Sequence, residues 1–317
     1  MQSNIKPTAT TSAQSRRSIF LPNNFVAQSD FLSGFEIHLA SHFGMCFGVR
    51  DALSLAEKTA KEGNVTILGE LVHNEVVRKR LRTAGASEGD LFGERAATPE
   101  VLVTAHGASD FQKERWASKG HLVRDATCPL VKKAHTALAT LVAEGCAPVV
   151  IGQAGHVEVL GLIGDFPEAQ VVMSEDNIKA LAPQKIFGVV SQTTQPVGRV
   201  HELVVLIRQH HPTSEVRFRD TVCQPTKNRQ RALQELAQKV DLVIVVGGSN
   251  SNNSRQLAET ARKLGCRAHR ISTADELDPR WLAGASKIGV TAGTSTLASC
   301  VEKVTARLET LGGKVAQ

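Results

Sequence analysis

The chain has 317 residues, of which 42% are hydrophobic, 21% charged and only 4% aromatic. That apolar content excludes a disordered chain and is enough for one large core or two to three small ones. The 37 Lys and Arg outnumber the 31 Asp and Glu for a net charge of +6, but they are scattered, which argues against a nucleic-acid or membrane-surface patch. No stretch of about 18 consecutive apolar residues exists to span a bilayer.

Residues 1–35 are rich in Ser, Thr, Asn and Gln, carry no acid before Asp30, and read as a mobile N-terminal tail. Ser15-Arg16-Arg17-Ser18-Ile19-Phe20-Leu21 faintly resembles a twin-Arg export signal, but Pro22-Asn23-Asn24 stands where its apolar core belongs. An acid-poor start also suits an organelle transit peptide; a plain extension of a cytoplasmic protein is the simpler reading.

Past the tail, short β-branched runs alternate with helical-period segments, the pattern of an α/β chain with parallel sheets. Six runs end in polar turns. Val65–Leu68 leads to Gly69-Glu70-Leu71-Val72-His73-Asn74, Val101–Thr104 to Ala105-His106-Gly107, and Val149–Ile151 to Gly152-Gln153-Ala154-Gly155-His156-Val157-Glu158. Phe187–Val190 leads to Ser191-Gln192-Thr193-Thr194, Val243–Val246 to Gly247-Gly248-Ser249-Asn250-Ser251-Asn252-Asn253-Ser254, and Ile288–Val290 to Thr291-Ala292-Gly293-Thr294-Ser295. Ligands of open parallel sheets sit beyond the carboxyl ends of the strands, where helix N-termini present free N–H groups. Any one such turn is explained by ordinary capping; histidines at three of the six point to a site.

The six cysteines stand at 46, 128, 146, 223, 266 and 300, with no C-x-x-C pair, so local zinc knuckles and dithiol motifs are excluded and a reducing compartment is indicated. Arg124-Asp125-Ala126-Thr127-Cys128-Pro129 is echoed by Arg219-Asp220-Thr221-Val222-Cys223-Gln224-Pro225, each between a β-like run and a Lys-containing helix. With Cys46 in Gly44-Met45-Cys46-Phe47-Gly48, these cysteines mark three units of similar length, each with two of the polar turns, as in a pseudo-threefold arrangement of lobes. The expected lobes are 48–127, 128–220, and a third from 36–47 with 221–317. Cys146, Cys266 and Cys300 read as small buried hydrophobes.

Three cysteines from three lobes suit a 4Fe–4S cluster with one iron not ligated by protein, an open Lewis-acid position. A structural zinc completed by a histidine is the alternative. His73, His106, His156, Ser251, Asn253 and Ser295 are short hydrogen-bonding groups suited to a phosphate-type anion. The absence of G-x-x-x-x-G-K-[ST] and G-x-G-x-x-G argues against nucleotide sites. Glu158 is the acid placed to move a proton; the bland reading is a helix-dipole partner.

Together with Leu71-Val72-His73-Asn74, Asp125-Ala126-Thr127-Cys128-Pro129-Leu130-Val131, Gly155-His156-Val157-Glu158-Val159, Gln192-Thr193-Thr194 and Thr291-Ala292-Gly293-Thr294-Ser295, these motifs resemble, in order from about residue 36 to 313, the 4-hydroxy-3-methylbut-2-enyl diphosphate reductase family of LytB-type iron–sulfur enzymes. The resemblance implies a trefoil of three α/β lobes around a central 4Fe–4S cluster held by Cys46, Cys128 and Cys223. It implies an allylic diphosphate bound by His73, His106, His156, Thr193, Ser251, Asn252, Asn253 and Ser295, and protons delivered by Glu158 with support from Thr193 and His156. Two electrons and two protons would remove the substrate hydroxyl as water and give isopentenyl or dimethylallyl diphosphate. A donor such as ferredoxin or flavodoxin is expected, since no flavin or nicotinamide motif is present.

The chain departs from the family in three places: Val157 stands where proline is usual, Asn252 where a serine is, and Gln153 where a histidine is common. Quinolinate synthase and the diphthamide-forming radical enzymes share the three-lobed cluster architecture but not the His/Glu/Thr turns. A cluster-carrying redox sensor or anion-binding module is the alternative outside enzymes.

Overall fold

A computed structural model describes residues 34–316 other than His73 and Asn250. Residues 1–33, most of the expected tail, lie outside the described residues. Phe35, assigned to the tail in the sequence reading, is already the first residue of a strand and 5% exposed.

The elements run β1 (Phe35–Leu39), α1 (Phe47–Glu62), β2 (Val65–Leu68), α2 (Glu75–Thr83), β3 (Ala86–Gly89), β4 (Glu100–Val103), α3 (Asp110–Ser118) and β5 (Leu122–Asp125). They continue with α4 (Pro129–Ala143), β6 (Ala147–Ile151), α5 (Val157–Ile163), β7 (Gln170–Val172), α6 (Glu175–Lys179), β8 (Ile186–Ser191), α7 (Val197–His210) and β9 (Glu215–Phe218). The last part is α8 (Gln224–Ala237), β10 (Leu242–Val246), α9 (Asn252–Lys263), β11 (Arg267–Ile271), β12 (Lys287–Ala292), α10 (Ala298–Thr310) and β13 (Gly313–Val315).

These strands form three parallel sheets in the orders β3-β2-β4-β5, β7-β6-β8-β9 and β11-β10-β12-β1-β13. The first four positions correspond across the sheets. The six runs that end in polar turns are β2, β4, β6, β8, β10 and β12, inner strands at the second and third positions of each sheet. They are almost wholly apolar because helices cover both faces of each sheet. The fold is the α/β arrangement of three lobes with parallel sheets expected from the sequence.

The helices show how the sheets are joined. After β1, α1 does not return to its own sheet: Ala52, Leu53, Ala56 and Ala60 pack with Val65, Ile67 and Leu102 of the first sheet. After β5, α4 leaves the first sheet and buries Ala134, Leu138 and Leu141 with Val150 and Val190 of the second. After β9, α8 buries Ala232, Leu233 and Leu236 with Val243 and Val245 of the third. Each crossing therefore hands the chain from one sheet to a helix of the next, and the three sheets close into a ring of shared cores.

Because each core is completed by a helix from the preceding sheet, no lobe is expected to unfold alone. Leu138→Ala, truncating a side chain with 0% exposure, should cost about 2–5 kcal/mol. It should shift one cooperative urea transition as a whole; a separate early transition for the second sheet would contradict this coupling.

Candidate functional site

Cys46, Cys128 and Cys223 occupy the three crossings, and each is the N-cap of the helix that leaves its sheet: α1, α4 and α8. Ser, Thr, Asp or Asn usually fills such a position and spends its side-chain oxygen on the helix amides. Here no cysteine sulfur makes a capping hydrogen bond, so the sulfurs remain available at the positive ends of three helices, where a thiolate is favoured.

Their placement follows from strand register. In each sheet the cysteine backbone N–H donates to a carbonyl in the polar turn of the neighbouring strand: Cys128 to Ala105 at 3.1 Å, Cys223 to Thr193 at 3.0 Å and Cys46 to Thr294 at 3.3 Å. The repeated Arg-Asp motif also has a local cause. Asp125 accepts from the Thr127 amide at 2.9 Å and Asp220 from the Val222 amide at 3.1 Å, turning the chain into the helix. A lysine seven residues on then pins each carboxylate, Lys132 at 2.9 Å and Lys227 at 2.7 Å.

The three sulfurs lie in one electrostatic neighbourhood. Burial pushes the Cys128 and Cys223 thiols up, the negative charge at Cys46 and Glu158 adding to the effect, while helix amides and, at Cys223, the Thr226 hydroxyl oppose it. The Cys223 sulfur is 3.1 Å from Thr226 Oγ1. Gly48, on the first turn of α1, leaves room for Cys128: a Cβ there would lie 2.3 Å from the Cys128 sulfur. Among the described residues no three His, Cys, Asp or Glu side chains converge as the ligands of a single ion do. Three thiols at separate helix N-termini, with Cys46 in electrostatic range of the other two, fit a cluster held by one sulfur from each sheet.

The polar turns gather beside them. His156 caps α5, its Nδ1 accepting from the Glu158 amide at 3.2 Å, which assigns the ring proton to Nε2. His106 meets His156 edge to face, ring centroids 5.7 Å apart, joining the first and second sheets. Its Nδ1 lies 3.4 Å from Thr104 Oγ1. Glu158 is 2% exposed and accepts from the Thr193 amide at 2.6 Å, with the Thr193 hydroxyl as a further partner. Burial pushes its carboxyl up to about 7, against those hydrogen bonds. Thr193 thus holds Glu158 by its backbone N–H and the Cys223 amide by its C=O.

In the third sheet Ser251 caps α9, accepting from the Ser254 amide at 3.3 Å and the Ser254 hydroxyl at 3.0 Å. Asn253 Oδ1 accepts from the Thr294 amide at 3.2 Å, placing Asn253 and Ser295, each 8% exposed, at adjoining turns. Asn74, the cap of α2, donates to the Ser295 carbonyl at 3.3 Å and ties in the first sheet. His73 lies outside the described residues. Asn252 accepts at Oδ1 from Arg255 at 2.5 Å, leaving Nδ2 buried with no hydrogen-bond partner among the described residues. A buried amide donor in that state suits an anionic ligand.

Val157 opens α5 as its first residue, the position where proline is best tolerated, so the valine preserves the helix start without the fixed φ. Gln153 donates its amide to Gln192 Oε1 at 3.2 Å, bracing the same turn. Cys146 and Cys266 are buried in helix-to-strand connections, and Cys300 is half-buried on α10. Sequence reasoning passed over Gly48, Thr226, Ser254 and Arg229. Thr226 follows Cys223 by three residues, so a helical period from the cysteine was the signal for it; Arg229 had none, because its partner is the Gly44 carbonyl.

A family model described as LytB protein matches residues 37–309. The chain is 36% identical over 283 residues to the 4-hydroxy-3-methylbut-2-enyl diphosphate reductase of Aquifex aeolicus, covering 86% of this chain and 96% of that one. It is 38% identical over 276 residues to the reductase of the same name from Geobacter metallireducens, again covering 86% and 96%. A solved structure of the E-1-hydroxy-2-methyl-but-2-enyl-4-diphosphate reductase from Plasmodium falciparum superimposes with a TM-score of 0.83 at 27% identity, covering 89% of this chain and 91% of that one.

Gly48→Ala is expected to force the starts of α1 and α4 apart, at a cost of about 1–3 kcal/mol. Thermal melting of cluster-free protein would measure it; an unchanged melting temperature would show that α1 yields easily. The raised Glu158 pKa has a stability consequence of definite sign. Folding favours the neutral acid, so the contribution is full below about 4.5 and is lost as pH rises through about 7. Glu158→Gln, neutral throughout, should therefore recover roughly 5 °C of melting temperature at about pH 8.5 relative to about pH 5, and parallel profiles of the two proteins would contradict a buried neutral Glu158.

Proposed function

The chain belongs to the LytB protein family, and we propose that it reduces 4-hydroxy-3-methylbut-2-enyl diphosphate to isopentenyl and dimethylallyl diphosphate, the terminal step of the non-mevalonate isoprenoid route. The observation that carries the reading is the assembly at the three crossings: three cysteine sulfurs at helix N-termini beside a buried carboxyl whose pKa burial raises to about 7.

Cys46, Cys128 and Cys223 would hold a 4Fe–4S cluster, which when bound supplies electrons one at a time and a Lewis acid at the iron that no side chain ligates. His106, Ser251, Asn253 and Ser295, with the Asn252 amide, offer hydrogen bonds from two sheets to the diphosphate and so fix the substrate at the end remote from the bond that breaks. His73 joins this set by its motif. His156 stands beside both His106 and Glu158, its ring edge to face with His106 and its Nδ1 accepting from the Glu158 amide. Glu158, protonated up to about pH 7, is the proton donor, and the Thr193 amide and hydroxyl hold its carboxyl in place and accept the charge it leaves.

The overall change balances as two electrons and two protons added, the C–O bond broken, a C–H bond formed, and one water released. Protonation at either end of the three-carbon unit gives the two products. The electrons come from a protein donor such as ferredoxin or flavodoxin, which the net charge of +6 suits if the donor is acidic. Among the described residues no helix is long and apolar enough to cross a membrane, in line with a diphosphate that stays in water.

The decisive experiment is anaerobic turnover of 4-hydroxy-3-methylbut-2-enyl diphosphate by iron- and sulfide-reconstituted protein with a reduced viologen, the products identified by mass. Both isoprenoid diphosphates are expected. Replacing Cys46, Cys128 or Cys223 by Ser should each abolish turnover, while Cys146→Ser retains it; equal losses from all four would overturn the ligand assignment, and no product from cluster-bearing wild type would overturn the substrate.

A further inference from the structure

The crossing at Cys46 lacks the device that fixes the other two. Asp125 and Asp220 turn the chain into Cys128 and Cys223 and are each pinned by a lysine, but Gly44-Met45 precedes Cys46 and no acid stands there. A residue from a different helix takes over. Arg229 of α8 is 5% exposed, and its Nη2 donates to the Gly44 carbonyl at 2.6 Å while Nη1 donates to Pro225 at 3.1 Å. It lines, together with Cys46, a cavity of about 370 Å³ that also includes Phe47 and Asn228.

A guanidinium this buried is costly unless an anion faces it. Burial works against its charge, and the groups that sustain it are the Cys46 and Cys223 sulfurs. The remaining donor, Nε, is buried with no hydrogen-bond partner among the described residues. Two carbonyls fix the direction of the fork, Nε–H is unpartnered among the described residues, and the stabilising charges belong to two of the three cysteines. The arrangement is that of a cation built to face an anionic centre.

We propose that Arg229 is a positioning residue for the electron-transfer centre: it clamps the Cys46 loop onto α8 and sets a permanent positive charge beside the Cys46 and Cys223 ligands, favouring the reduced and more negative state of the cluster. The inference rests on the assignment of the three cysteines as cluster ligands. The clamp substitutes for the missing Asp–Lys pair, and the charge adds what that pair does not.

The test is an anaerobic redox titration of the reconstituted full chain, followed by electron paramagnetic resonance, for wild type, Arg229→Gln and Arg229→Lys. Glutamine removes the charge and lysine keeps it without the fork. Arg229→Gln is expected to shift the one-electron equilibrium about tenfold toward the oxidised form, about 59 mV in potential, with Arg229→Lys within about threefold of wild type. An unchanged equilibrium in Arg229→Gln overturns the proposal, whereas wild type that takes up no cluster overturns the ligand assignment beneath it. Should Arg229→Gln fail to fold, wild type carrying guanidino-¹⁵N arginine decides the matter. A ¹⁵N hyperfine coupling to the reduced cluster is expected, and its absence overturns the proposal.

Discussion

Everything at the centre of this protein depends on where a parallel strand ends relative to its neighbour. In each sheet the strand that carries a cysteine pairs with an inner strand whose polar turn lies one hydrogen bond away, and the bond is made by the cysteine's own amide. Register thereby fixes the distance between a sulfur and the side chains of the adjacent turn before any side-chain contact is formed. A one-residue slip would reverse the faces of the whole strand, so the same hydrophobic pattern that buries the sheets also aligns the site. The crossing helices then bring three such junctions together, because each must leave its own sheet to find its apolar partner.

The second constraint is electrostatic. Three sulfurs and a carboxyl share an interior where uncompensated charge is expensive. The protein answers with helix N-termini at all three cysteines, a buried guanidinium beside Cys46 and Cys223, and a glutamic acid whose pKa burial raises to about 7. Each compensates differently. Helix ends hold fixed partial charge, Arg229 a fixed whole charge, and Glu158 a charge that appears only when its proton leaves. The last of these is the property a proton donor needs, and Thr193, whose backbone N–H donates to Glu158 and whose C=O accepts from the Cys223 amide, places that acid beside the Cys223 junction.

Much of this was legible in the sequence because parallel sheets write it plainly. The inner strands are short β-branched runs, and their polar turns fall at strand ends by construction, so Cys128, Cys223, His106, His156, Glu158 and Ser295 could be picked out one junction at a time. The edge strands β3, β7 and β11 were not, since Ala86–Gly89 and Arg267–Ile271 carry few β-branched residues and their pairing comes from the inner strand beside them. Nor does the sequence order show that α1, α4 and α8 belong to the next sheet rather than their own; only tertiary packing decides that. Arg229 was invisible for a related reason. Its partner carbonyl, Gly44, is 185 residues away, and an arginine on a polar helix otherwise reads as solvated.

The threefold pattern is clearest in the scaffold and weakest in the chemistry, and that contrast bears on function. Strand order, cysteine placement and cysteine amide bonding repeat in all three lobes, whereas the turns differ: histidine in the first, histidine, glutamate and threonine in the second, serine and asparagine in the third. A symmetric centre suits a symmetric cofactor, but an allylic diphosphate has two unlike ends, one to be held and one to be reduced. Anion-binding groups from the first and third lobes beside an acid from the second divide the site in that sense. The Cys46 crossing breaks the scaffold pattern too, exchanging a surface Asp–Lys pair for a buried arginine, so the asymmetry reaches the three cysteines and sets a positive charge beside Cys46 and Cys223.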